Sequence, residues 1–170
     1  DAGSTQKTFI GQLAFLGDTG SAYFNVTSGS SNPSSDENKT QFDFVGKKKL
    51  SKAFSLGFNG TYALTTNDLD SALDGEWFSL VGYVNFIVKE SSSVAYRLEY
   101  LDAKQATDRL GLLTGTSVIG NTLSLNYKVG HLTIIPEFRF DIASEDIFTD
   151  SNAAPKGLTA YALLATTYSF

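Results

Sequence analysis

The chain has 170 residues, enough for one domain, and no cysteine, so a disulfide framework, a thiol nucleophile and a thiolate metal site are all excluded. A net charge of −5 argues against a general nucleic-acid binder, which needs a basic face. No apolar run approaches the ~18 residues of a transmembrane helix, but a transmembrane barrel would lack one too, because its strands alternate and their hydropathy averages out.

Period-two alternation is the dominant signal along the chain. It is weak over 8–17, 21–30 and 40–49. It sharpens over 54–64, where Phe54, Leu56, Phe58, Gly60, Tyr62 and Leu64 oppose Ser55, Gly57, Asn59, Thr61 and Ala63. Over 76–89 apolar residues occupy both faces, so a strand is expected there with no preferred orientation. Over 94–101, Val94, Tyr96, Leu98 and Tyr100 oppose Ala95, Arg97, Glu99 and Leu101. Over 122–129, Leu123, Leu125, Tyr127 and Val129 oppose Thr122, Ser124, Asn126 and Lys128. The cleanest case is 132–142, where Leu132, Ile134, Pro136, Phe138, Phe140 and Ile142 oppose Thr133, Ile135, Glu137, Arg139 and Asp141. A last strand, 158–170, ends with Tyr168 and Phe170 on one face. The total is about nine strands, each near the ~9–11 residues that cross a bilayer at a tilt.

The connections alternate as well. Short ones fall at 17–20, 50–52, 89–93 and 130–131; long polar ones fall at 28–39, 66–75, 102–120 and 144–156. Short turns at one end and long loops at the other are what an outer-membrane barrel shows, with the long loops outside the cell. No α-helix, linker or second domain is expected. Alternation alone does not say which face meets the core. Three features favour lipid on the apolar face: its long charge-free runs, the aromatics near strand ends (Phe54, Tyr62, Tyr127, Phe140), and the terminal Tyr168 and Phe170. Such a terminal pair is read as the signal for the barrel-assembly machinery. The fold class expected is all-β: a transmembrane, antiparallel, up-and-down β-barrel lying over residues 1–170 as a single domain.

Three stretches carry a family resemblance: YRLEYLDAKQATDR (96–109), NTLSLNYKVGHLTIIPEFRFD (121–141) with its Glu137-Phe138-Arg139-Phe140-Asp141 core, and the terminal strand. The loop FNVTSGSSNPSSDENKTQ (24–41) adds to them. Together they resemble the β-barrel porin-2 (OmpL-like) outer-membrane family of Bacteroidota-type bacteria. The resemblance implies a porin-like role. Family members are about twice this long, so it also implies that the chain is the C-terminal part of a barrel or a short relative. Strand parity and the absence of Met point the same way. With nine strands the first and last run in one direction, and an antiparallel bacterial barrel closes with an even number.

The inward charges expected to line a lumen are Arg97, Glu99, Lys128, Glu137, Arg139 and Asp141. They are read first as a paired network packing the wall, and second as a constriction that selects solutes by charge. Glu137 and Asp141 could be read as a catalytic carboxylate pair, but Arg139 between them favours neutralisation. His131, the sole histidine, sits in a tight turn, which does not make it a catalyst or ligand. The acidic loop residues Asp36, Glu37, Asp68, Asp70, Asp74, Glu145, Asp146 and Asp150 match no Ca²⁺-binding loop. Asp18-Thr19-Gly20 resembles an aspartic-protease triplet by chance. Asn25, Asn38 and Asn59 lie in N-x-S/T triplets that carry no weight in a bacterial protein. Lys47, Lys48 and Lys49 beside a short turn are read as headgroup contacts or solubilising charge.

No enzyme activity, cofactor or metal is therefore expected. The partners expected are outer-membrane lipid, the assembly machinery and other outer-membrane subunits, with no nucleic acid. The leading functional expectation is a porin-like channel for small solutes. An accessory barrel subunit of a larger outer-membrane complex is the alternative, and a soluble ligand-binding barrel, with Phe138 and Phe140 turned inward, is the third.

Overall fold

The computed structural model describes residues 7–30, 37–106 and 113–170. Asp36 and parts of the loops at 28–39 and 102–120 lie outside the described residues. The nine expected strands are present as β1 (Phe9–Gly17), β2 (Gly20–Gly29), β3 (Glu37–Lys49), β4 (Phe54–Asn67), β5 (Gly75–Lys89), β6 (Ser92–Gln105), β7 (Ser117–Val129), β8 (Leu132–Ala143) and β11 (Leu158–Tyr168). Between the last two, β9 (Phe148–Thr149) pairs with β10 (Pro155–Lys156) as a small separate hairpin. The described residues contain no α-helix; a 3₁₀ turn lies at Ser71–Leu73, where the N-cap Asp70 accepts the Ala72 N–H.

The nine strands form one antiparallel meander, ordered β1-β2-β3-β4-β5-β6-β7-β8-β11. Each pairs with its neighbour in the chain, because a short turn or a single loop joins every pair. Tight turns use Asp18–Thr19, Glu90–Ser91 and Gly130–His131. In the last, Gly130 adopts φ +60°, a left-handed conformation that a side chain would disfavour. The long connections gather at the opposite end of the sheet. Several strands run further toward the long loops than their alternation suggested; β3 starts at Glu37 and β6 runs to Gln105. These extensions are polar, so hydropathy misses them while backbone pairing continues, as between Glu37 and Asn67.

Register sorts the side chains onto two faces. Phe44, Gly60, Leu80, Tyr100, Ile119, Ile142 and Leu158 form one cross-strand row on the apolar face. The same pairing settles β5: Phe78, Leu80, Val84 and Phe86 join the apolar face, while Trp77, Val81 and Tyr83 join the polar one. Phe138 and Leu123 on the apolar face are about half exposed, at 52% and 48%. On the other face Thr122 and Asp141 are buried. Ring pairs such as Phe44–Phe58 and Phe78–Tyr100 tile the apolar side.

The sheet stays open over this chain. β1 and β11 each have a single neighbour, and they run in the same direction. The barrel expected from sequence is thus not closed by these nine strands, because two parallel edges cannot pair antiparallel with one another.

Candidate pore-lining face

The polar face carries two side-chain networks, one at each side of the sheet. The first lies on β6, β7 and β8. Register places Glu99, Gly120 and Asp141 in one cross-strand row and Arg97, Thr122 and Arg139 in the next. Like charges therefore stand apart, and opposite charges meet diagonally. Arg139 reaches across Gly120 to both carboxylates. Its Nη1 lies 2.5 Å from Glu99 Oε2, and its Nε donates to Asp141 Oδ1 at 2.9 Å and Oδ2 at 3.0 Å. Arg97 adds a second cation to Glu99: its Nε is 3.0 Å from Oε1, without hydrogen-bond alignment.

Gly120 makes this arrangement possible. A Cβ there would lie 2.7 Å from Asp141 Oδ1, 2.8 Å from Arg139 Nη2 and 3.0 Å from Glu99 Oε2. The absent side chain is the space in which the guanidinium sits. Beside the cluster lies an open recess of about 420 Å³, whose walls include Trp77, Val81, Leu113 and Phe148. Phe148 comes from the β9–β10 hairpin, so the last long loop contributes to the inner surface.

Four of the six expected inward charges are therefore one cluster. Glu137 is close in sequence but separate; it accepts a hydrogen bond from Ser124 Oγ at 2.7 Å. With one carboxylate on Arg139 and the other on a serine, the two do not form an acid/base pair. Lys128 shares the polar face, opposite Thr133, but stands at the short-turn end, apart from the cluster. Tyr168 is exposed on the apolar face and packs against His131, ring centroids 5.9 Å apart. Phe170 follows the last strand residue and is fully exposed.

The second network was not anticipated. Gln12 Nε2 donates to Asn25 Oδ1 at 2.7 Å, and Asn25 Nδ2 donates to Asp43 Oδ2 at 3.2 Å. From the other side Asn59 Nδ2 and Thr61 Oγ1 donate to Asp43 Oδ1 at 2.9 and 3.0 Å. Donors from the two flanking strands thus converge on the one carboxylate of β3, all of them neutral, and Gln12 of β1 supports Asn25 from behind. Asn25 and Asn59 are two of the N-x-S/T asparagines set aside as chance. The signal that could have found them is their position opposite the apolar residues of 21–30 and 54–64, read together with Asp43.

The outward face has a polar boundary as well. Tyr62 donates its hydroxyl to Glu76, and Tyr100 donates to Asp102 Oδ2 at 2.9 Å. Both pairs sit toward the long loops. From Glu76 to Phe86 the apolar face runs roughly ten steps of ~3.3 Å, which at a tilt of ~40° is about 25 Å of height. That equals the apolar band of an outer-membrane barrel.

The fold is thus that of an all-β protein, an antiparallel meander of nine strands with one charged face and one exposed aromatic face. The chain belongs to the family described as "Putative beta-barrel porin-2, OmpL-like", whose profile matches residues 1–170. Neither a curated protein nor a solved structure matches it. The family membership suggests a porin-like role in the outer membrane and a channel rather than an enzyme.

Proposed function

We propose that the sheet is part of the wall of an outer-membrane β-barrel, a porin-like channel for small solutes, with its apolar face on lipid and its polar face on the lumen. The observation that carries this is the reversal of burial: Phe138 lies half exposed while Asp141, three residues on and across the sheet, is buried. A soluble barrel would turn Phe138 and Phe140 inward and its charges out. In this reading the short turns and Phe170 face the periplasm, and the long loops face the outside. Tyr168 and Phe170 present the terminal strand to the assembly machinery.

The wall is completed by an odd number of further strands, since only an odd insertion pairs antiparallel with both β1 and β11. A second copy of the sheet would supply an odd number of strands, but rotation about the barrel axis keeps their direction and would set β11 parallel to β1. Strand number then fixes the lumen: eight to ten strands leave it filled by side chains, and about sixteen leave a water channel. Planar-bilayer conductance of the full native gene product is the test. Stepwise conductance is expected, and a closed, silent barrel would sink the channel reading. The two unpaired edges favour one alternative, an accessory subunit whose wall a partner chain completes. A monodisperse, partner-free particle after gentle detergent extraction would count against that alternative.

A further inference from the structure

The two ends of the sheet carry opposite charge. At the short-turn end stand Lys47, Lys48, Lys49, Lys52, Lys89 and Lys128, against Asp18 and Glu90. All six lysines are exposed, and none forms an ion pair among the described residues. At the long-loop end Asp68, Asp70, Asp74, Glu145, Asp146 and Asp150 outnumber Lys7, Lys39, Lys104 and Lys156. The lysines concentrate around the β3–β4 turn. Lys48 Nζ is steadied by Thr19 Oγ1 of the neighbouring turn at 2.8 Å. Lys49 and Lys52 line a cleft of about 450 Å³ together with Leu50, Phe54 and Ile87. Leu50 is more than half exposed, and Phe54 begins the apolar face. Lys48, in register with Leu56 and Val84 of the apolar face, and Lys52, in the turn before Phe54, thus stand at the margin of the surface assigned to acyl chains, and Lys47 and Lys49 flank them on the strand end.

We propose that this lysine rim docks anionic phospholipid headgroups of the leaflet reached by the short turns. The inference rests on the membrane reading above. Charge complementarity selects the occupant: unpaired ammonium groups beside an apolar cleft match a headgroup phosphate above its acyl chains. Each lysine near an anionic surface is worth about fivefold in association.

The native full-length protein is placed in vesicles of phosphatidylcholine with ~30% phosphatidylglycerol, and retained lipids are counted by native mass spectrometry. The ratio of phosphatidylglycerol to phosphatidylcholine is expected to be about tenfold higher among the retained lipids than in the vesicle, so that phosphatidylglycerol makes up about 80% of them. The Lys47→Gln/Lys48→Gln/Lys49→Gln/Lys52→Gln variant is expected to lose that preference, and the matching four-arginine variant to keep it. Neutralising Asp68, Asp70 and Asp74 to Asn is expected to change nothing. Equal retention of the two lipids, or a preference that survives the glutamine variant, overturns the proposal. Displacement by ~10 mM inorganic phosphate overturns the lipid source in favour of a soluble anion. Failure of the wild type to enter the vesicles at all overturns the membrane reading itself, a result separable from loss of lipid preference.

Discussion

The two networks on the polar face hold charge in different ways. On β6–β8, Arg139 and Arg97 face Glu99 and Asp141, and the charge is cancelled within the cluster. On β1–β4, Asp43 is held by two amides and a hydroxyl, none of which carries charge. The first network sums to zero charge. The second surrounds a single carboxylate with neutral donors only. Under the proposed channel reading, the most heavily charged part of the polar face is then not the part expected to set selectivity.

Gly120→Val should have the largest effect, because its side chain occupies the space of the Arg139 guanidinium. A loss of about 3 kcal/mol is expected in reversible urea unfolding of the lipid-embedded protein. An unchanged midpoint would mean that the cluster can re-form elsewhere. Arg139→Met should cost somewhat less, about 2 kcal/mol, since the carboxylates keep partial access to water and to Arg97. Adding Asp141→Asn to it should recover about half, and a double-mutant cycle on the same unfolding assay checks the coupling.

Asp43→Asn should cost only about 1 kcal/mol in stability, because the amide oxygen keeps the Asn59 and Thr61 hydrogen bonds and only the Asn25 donor loses its acceptor. Its effect belongs to permeation. The reversal potential in a salt gradient should move toward anions, on the order of twofold in permeability ratio. The double neutralisation Glu99→Gln/Arg97→Gln removes no net charge and should leave the potential in place. Equal shifts from both would erase the proposed difference between the networks.

The smallest effect concerns the β9–β10 hairpin, outside both networks. The Asp150 carboxylate accepts the backbone N–H groups of Ala154 and Asn152, which hold its pKa below the usual carboxylate value. A depressed folded pKa means that the hairpin's extra stability is present above the ordinary aspartate range and is lost as pH falls through the folded value. Amide exchange at Ala154 and Asn152, corrected for intrinsic rates, should lose protection on acidification, and Asp150→Ala should remove that pH dependence.

Much of the sheet could be read from the sequence because lipid-type faces impose strict alternation; 132–142 is legible by eye. Orientation at β5 could not, since Phe78 and Val81 are equally apolar, and only the pairing of Phe78 with Tyr62 and of Val81 with Asn59 and Glu99 assigns them. The ionic cluster was legible because Arg and Glu are uncommon at alternating inward positions. Its dependence on Gly120 was not, because a glycine in a strand carries no pattern of its own. The Asp43 ladder was hidden for a different reason. Asn, Asp and Thr are also the residues of turns, so their inward spacing registers only once three neighbouring strands are aligned. Lys128 shares the face of the cluster but not its depth, and alternation encodes face alone.

The order of the meander bears finally on how such a sheet comes together in time. Every rung joins segments adjacent along the chain, so each hairpin closes a short loop at small entropic cost and forms early. The strand margins at β1 and β11 are the exception, since neither finds its second partner within this sheet. Until further strands cover them, both margins remain templates for wrong pairing. Protection during assembly is therefore called for least in the middle of the meander and most at its two margins.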